Sequence, residues 1–283
     1  MQVVRTPQEI RDLRINTFEG KSVGLVPTMG FLHEGHLSLV KNSREENDIT
    51  VVSIFVNPIQ FGPREDLADY PRDMERDLML LEQQGVDLVY APQPGDMYED
   101  DFSTFVEETS LSKGLCGASR PGHFRGVCTV VLKLFNIVAP DRAYFGLKDY
   151  QQYRVICRMA RDLNVPVEIK GCPIVREPDG LALSSRNMYL SPRERESALL
   201  LSKSIVHARK MVRDGVRSCS QIRAKVLEIL GSDPAVSVEY VSLKDACTLE
   251  DLQRLDSDGV LAIAARVGKA RLIDNTLLEP GKE

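Results

Sequence analysis

Apolar residues in the first half of this chain alternate between two spacings. Val23–Val26 and Ile49–Val56 are near-continuous apolar runs rich in β-branched residues, which predicts strands buried on both faces, as in a parallel sheet covered by helices. Between them the spacing is helical. Thr6-Pro7 reads as an N-cap with proline at the first helical position, opening a helix over 6–18 that buries Ile10 and Leu13. Leu37, Leu39 and Val40 start a second helix, running to about Glu46. Met74, Leu78 and Leu81 mark a third over Tyr70–Gln84, and Asp87–Ala91 is a strand ended by Pro92. Such alternation predicts an α/β fold, a Rossmann-like doubly wound parallel sheet. Further along, Thr104–Glu107 reads as a short strand, Val127–Val138 as a buried helix, Arg142–Phe145 as a strand, Tyr150–Leu163 as a helix and Val165–Val175 as an interrupted strand. The turn Glu177-Pro178-Asp179-Gly180 predicts a domain boundary, giving residues 1–177 and 178–283. Beyond it, Ser191-Pro192-Arg193-Glu194 is a capping box opening a helix to about Asp214. Gln221–Leu230 is a second helix, and Val236–Leu243, Val260–Val267 and Arg271–Ile273 read as strands of a smaller α+β C-terminal domain.

Composition narrows the function classes. With 283 residues, 43% of them hydrophobic, the chain can build a substantial core. A net charge of −5 argues against a chain-wide nucleic-acid or membrane surface. The six cysteines are scattered with no CxxC pair, and no run reaches membrane-spanning length, so a reduced, cytoplasmic protein is expected.

The candidate chemistry sits where strands end. Pro27-Thr28-Met29-Gly30-Phe31-Leu32-His33-Glu34-Gly35-His36 passes from strand through glycine into a helix start. Such a turn presents backbone N–H groups and a positive dipole end to a phosphate. His33 and His36, two of four histidines, share a face there and can stabilise charge on a transferring phosphoryl group. Their spacing is wrong for a zinc motif. Asn57 and Gln60 follow the second strand, where neutral amides can hold a hydroxyl or carboxylate. Asp73 and Asp77 share a helix face, either approaching a cation or amine or forming a solvated acidic face. Arg120, His123 and Arg125 in the glycine-rich stretch Ser119–Gly126 suit an anion. Gly146 and Lys148 repeat the strand–glycine–helix pattern, and Gln152 would meet Gln60 if their strands are neighbours. Ser184, Ser185 and Arg186 would close over a triphosphate.

With these segments together the chain resembles the pantoate–β-alanine ligase (pantothenate synthetase) family. The motifs PTMGFLHEGH, SIFVNPIQFG, DYPRD, GASRPGHFRG, FGLKDYQQ, DGLALSSRN and ARLIDN cover nearly its whole length in order. That resemblance implies the nucleotidylyltransferase form of the class I synthetase signature. It also implies a homodimer through the N-terminal domain and Mg²⁺-ATP chemistry joining pantoate to β-alanine through a pantoyl adenylate. Carried over by position, it assigns Met29, Gly30, Phe31, Leu32, His33, Glu34, Gly35 and His36 to ATP, with His36 as general acid and His33 on phosphate. Gly146, Leu147, Lys148 and Asp149 join them, with Val175 through its backbone and Leu183, Ser184, Ser185 and Arg186 as a mobile loop. Gln60, Gln152 and Asn57 take the acid substrates, Gln60 also touching β-alanine. Many members carry glutamate where this chain has Leu147, and no metal ligand is assigned. Two other functions are weighed beside the ligase. A nucleotidyl transferase acting on a phosphorylated alcohol would incorporate the nucleotide instead of releasing AMP, and a non-catalytic ATP-binding regulator would survive loss of His36.

Overall fold

The computed structural model describes residues 1–63 and 65–281. The chain divides into two compact units: Met1–Leu147 with Gln151–Pro173, and Lys148–Tyr150 with Ile174–Glu283.

In the first unit β1 (Gln2–Val4), α1 (Pro7–Asn16), β2 (Val23–Thr28), α2 (Glu34–Glu46), β3 (Ile49–Ile54), α3 (Met74–Gln83) and β4 (Leu88–Tyr90) come first. Two short helices, α4 (Pro94–Met97) and α5 (Leu115–Ser119), follow. Then come α6 (His123–Val138), β5 (Arg142–Gly146), α7 (Tyr150–Asp162) and β6 (Glu168–Cys172). The six strands are parallel in the order β1-β4-β3-β2-β5-β6. All six residues of β3 are buried, as a strand covered on both faces requires. From β2 the chain moves outward through β3 and β4, then returns to place β5 on the other side of β2. The order therefore reverses between β2 and β5, the place where a doubly wound sheet opens a crevice at its carboxyl edge. The β2–β5 ladder consists of Gly24↔Arg142 and Leu25↔Ala143, whereas β2 pairs with β3 from Val23 to Thr28. The carboxyl halves of β2 and β5 are thus left apart where their following loops begin.

Several local expectations need correcting. Strand β1 precedes every element that the pattern predicts; it has three residues with only Val4 buried, too short to show alternation. Thr104–Glu107 forms no strand; the Val106 N–H goes to the Thr129 hydroxyl at 3.0 Å instead of a neighbouring strand. Helix α3 starts at Met74, not Tyr70, because the Asp73 carboxylate caps the Arg76 N–H. Helix α6 begins four residues earlier than its apolar run, at His123.

The second unit adds α8 (Pro192–Arg213), α9 (Cys219–Leu230), β7 (Val236–Asp245), β8 (Gly259–Val267) and β9 (Ala270–Leu278), with the strands antiparallel in that order. Ser191 and Glu194 form the expected capping box on α8. Strand β9 is longer than its apolar pattern because Asp274, Asn275 and Thr276 are polar yet buried. Asp274 accepts from both terminal nitrogens of Arg176, at 2.7 and 2.9 Å. Asp274→Ala strands that guanidinium and is expected to cost about 2–3 kcal/mol, below the range for a fully buried pair since Arg176 keeps some water contact. An earlier loss of hydrogen-exchange protection in β8 and β9 under urea checks this; unchanged protection refutes it.

Candidate active site

The turn after β2 is held rigidly by its own neighbours. Gly30 has φ +79°, and a Cβ there would come within 3.0 Å of both Asp77 Oδ2 and Ile54 Cγ2. Phe31 follows at φ +49°, a conformation that costs a side-chain-bearing residue energy and persists only when its surroundings impose it. Asp77 imposes it. Its carboxylate accepts from Phe31 N and Leu32 N, both at 2.7 Å, and its side chain is only 1% exposed. Burial pushes this carboxyl above the ordinary range, while the two backbone donors and Arg76 pull it down. Arg76 also lies over the Phe31 ring at 5.3 Å. The choice between a cation contact and a solvated face for Asp73 and Asp77 therefore has another outcome. Asp73 caps a helix, and Asp77 is a buried clamp on the turn.

This clamp changes the reading of the turn as a nest of available N–H groups. Gly30 N donates to Thr28 Oγ1, Phe31 and Leu32 to Asp77, His33 to His36 Nδ1, and Gly35 to His33 Nδ1. Protein acceptors thus occupy these five donors of the turn. The two imidazoles of the turn are stacked with centroids 4.0 Å apart. Each Nδ1 accepts a backbone hydrogen, at 3.1 Å for His33 and 3.3 Å for His36. A nitrogen that accepts carries no proton, so the neutral rings carry theirs on Nε2. Helix α2 begins directly beneath them with its positive dipole end. Leu32 is buried under the turn, and Glu34 is exposed on the first helical position.

Gln60 ends the 3₁₀ turn after β3 and is buried. Its Nε2 donates to Met29 Sδ at 3.1 Å, joining it to the histidine turn. Asn57, expected beside it as a substrate contact, is 1% exposed and engaged with protein on every side. It donates to Gln60 Oε1 (3.0 Å) and Gly126 O (3.2 Å) and accepts from the Tyr98 hydroxyl (2.8 Å). Its geometry is that of a bracket for Gln60. The condition set for Gln60 and Gln152 fails: β3 and β5 are not neighbours, since β2 lies between them. Gln152 stands in the first turn of α7, half-buried, at the carboxyl end of the sheet. The adjacent Gln151, which sequence reasoning passed over, is the buried one. It accepts from Cys116 N and donates to the carbonyls of Leu111 and Gly114.

The basic stretch expected to bind an anion is turned inward. Arg120 forms a two-pronged pair with Glu65 at 2.6 and 2.7 Å, and Arg125 lies 3.8 Å above the Phe105 ring. Burial works against the Glu65 carboxylate, but Arg120 overcomes it and holds the group below its ordinary range.

The remaining expected residues are arranged among themselves. Leu147 opens a 3₁₀ turn with Lys148 and Asp149 directly after Gly146 ends β5. Lys148 Nζ lies 3.5 Å from Asp149, and its carbonyl accepts from Asn275 at 2.7 Å. Val175 O accepts from Leu183 N at 3.0 Å, closing a small hairpin. Ser184 caps the 3₁₀ turn Ser185–Tyr189 by accepting from Arg186 N. Asn187 reaches Glu177 and Ala182, while Arg195 pairs with Glu177 and Asp179. Among the described residues no group of three or more His, Cys, Asp or Glu side chains is arranged to hold a metal ion, and no helix is long and apolar enough to cross a membrane.

Comparison with known proteins is consistent along the chain. Residues 2–277 match the family model for pantoate-beta-alanine ligase. Pantothenate synthetase of Thermotoga petrophila is 56% identical over 279 residues, covering 98% of this chain and all of that protein; that of Thermotoga neapolitana is 57% identical over the same length. The crystal structure of pantothenate synthetase from Thermus thermophilus superposes with TM-score 0.93 at 46% identity, covering 98% of this chain and 99% of that one. Pantoate-beta-alanine ligase from Francisella tularensis, crystallised with beta-gamma ATP and beta-alanine, gives TM-score 0.81 at 34% identity, covering 98% and 97%.

Proposed function

The chain belongs to the pantoate-beta-alanine ligase family, and from that premise we propose how its residues carry the reaction. ATP and pantoate combine first: the pantoate carboxylate attacks the α-phosphorus, forming pantoyl adenylate and releasing pyrophosphate. The β-alanine amine then attacks the acyl carbon, giving pantothenate and AMP. A carboxylate is a poor acylating group until one oxygen is carried off on AMP, and neither step needs a protein nucleophile. The observation that carries this reading is the pair of stacked imidazoles whose Nδ1 atoms accept from backbone donors, which puts their protons on Nε2 as paired donors for the phosphates. His36 then stabilises the departing pyrophosphate as a neutral N–H donor, a narrower role than the general acid expected from the sequence. His33 shares the phosphate contact.

Gln60 and Gln152 receive the acid substrates in this scheme, and Asn57 acts through Gln60. The family resemblance supports Lys148, with Gly146, Leu147 and Asp149, on the nucleotide, and Val175 with Leu183, Ser184, Ser185 and Arg186 on its phosphates. Mg²⁺ would enter with ATP and would be held by phosphate oxygens and water, neutralising phosphate charge. A homodimer through the first unit and a cytoplasmic location complete the proposal.

The purified chain is expected to form AMP and pyrophosphate in equal amounts only with ATP, pantoate and β-alanine together. No turnover with all three overturns the assignment, and a nucleotide-containing product in place of AMP favours a nucleotidyl transferase. Arg186→Ala is expected to slow adenylate formation at least about tenfold, the scale of one lost charge-assisted contact, and to spare the β-alanine step. Single-turnover rates that fall equally in both steps refute a phosphate-specific role.

A further inference from the structure

The stretch Arg120–Gly126 has no place in the reaction as derived, yet it grips Gln60 from behind. His123 is buried, and both ring nitrogens are used. Its Nδ1 lies 2.9 Å from the Gln60 carbonyl oxygen, and its Nε2 lies 2.9 Å from Arg120 Nη1. A guanidinium has only hydrogens to give, so Nε2 accepts from Arg120 and Nδ1–H donates to Gln60. Arg120 is itself anchored on Glu65 through two bonds. One helical turn on, the Gly126 carbonyl accepts from Asn57, whose amide also donates to Gln60 Oε1. The backbones approach so closely here that a Cβ on Gly126 would lie 2.4 Å from Ile59 O and 2.7 Å from Gln60 N. This segment thus holds the Gln60 carbonyl directly through His123 and its amide oxygen indirectly through Asn57, and packs closely against the Gln60 backbone.

We propose that Arg120 and His123 are positioning residues for the acid substrates, acting through Gln60: the relay Glu65–Arg120–His123 sets the backbone from which the Gln60 amide is aimed. This rests on the reading of Gln60 as a substrate contact. Positioning is worth this much construction because a reacting group displaced by about 1 Å can lose about a hundredfold in rate.

The test compares Michaelis constants for pantoate and ATP in folded variants. His123→Ala is expected to raise the pantoate KM by about tenfold, the scale of one lost buried hydrogen bond, with the ATP KM changed less than about twofold. His123→Asn, whose amide hydrogen reaches the same carbonyl as Nδ1–H, is expected to recover most of that loss, whereas His123→Gln is not. Equal rises in both constants, or an unchanged pantoate KM, overturn the proposal. Should His123→Ala fail to fold, Arg120→Ala carries the same expectation at smaller size. Gln60→Ala separates the two readings. An unchanged pantoate KM there removes Gln60 from the site and this inference with it. A raised value there beside an unchanged one in His123→Ala overturns the relay alone.

Discussion

Asp77→Ala is expected to destroy the histidine turn while leaving the sheet in place. The substitution removes the acceptor for Phe31 N and Leu32 N, each bonded to the carboxylate at 2.7 Å, and strands two backbone donors beside Leu32, which stays buried. Hydrogen bonds to a charged group contribute about 1.5–3 kcal/mol each, so a loss of about 3–6 kcal/mol is expected for the two together. Phe31 at φ +49° then has nothing to hold it, and the turn relaxes away from its strained form. The imidazoles depend on that turn for their spacing, so adenylate formation is expected to fall by at least about two orders of magnitude. Asp77→Asn is the informative partner. Its oxygen can accept from one of the two amides, but its NH₂ group meets the other donor head-on, so it recovers little. Urea midpoints and single-turnover formation of adenylate check both effects; wild-type rates in a folded Asp77→Ala protein refute the clamp.

His36 is expected to respond to the position of the replacing hydrogen. His36→Ala should lose about 10²–10⁴-fold in adenylate formation, the range for a positioned group at a reacting centre. His36→Gln places an amide hydrogen near the original Nε2–H and is expected to retain at least about tenfold more activity than the alanine variant. His36→Asn keeps an acceptor near the Nδ1 position, where the His33 N–H is bound at 3.3 Å, but presents no donor to the phosphates. It should preserve the turn and lose the rate. A general acid would make all three variants equally poor, since no amide delivers a proton. Measuring the three together therefore separates hydrogen-bond donation from proton transfer.

How far the site could be read along the chain depended on whether contacts were local. The strand–glycine–helix turn was legible because its cues lie close together in the chain: a buried β-branched run, glycines and two histidines. The capping box at Ser191 was legible for the same reason, since its two bonds join residues three apart. Asp77 was not. Its partners lie 45 and 46 residues earlier, and its spacing from Asp73 fits a solvated acidic face equally well. His123 reads as an anion ligand by composition, and only the meeting of α6 with the turn after β3 turns it inward onto Gln60. Asn57 and Gln60 read as a matched pair of substrate amides until one is seen to bracket the other.

The amino-acid sequence by itself determined the parallel α/β class, most helices and strands, the second α+β unit and the family. Each of these rests on periodicity, capping or ordered motifs, and all are properties of neighbouring residues. Tertiary structure alone decided the strand order, and with it the placing of β2 between the strands that precede Gln60 and Gln152. It also decided which polar side chains are available to a substrate and which are held by the protein. That division turns on burial and on partners distant in the chain. A carboxylate with two backbone donors against it and a carboxylate in water have the same letter and the same spacing, and they differ only in what the fold brings to meet them.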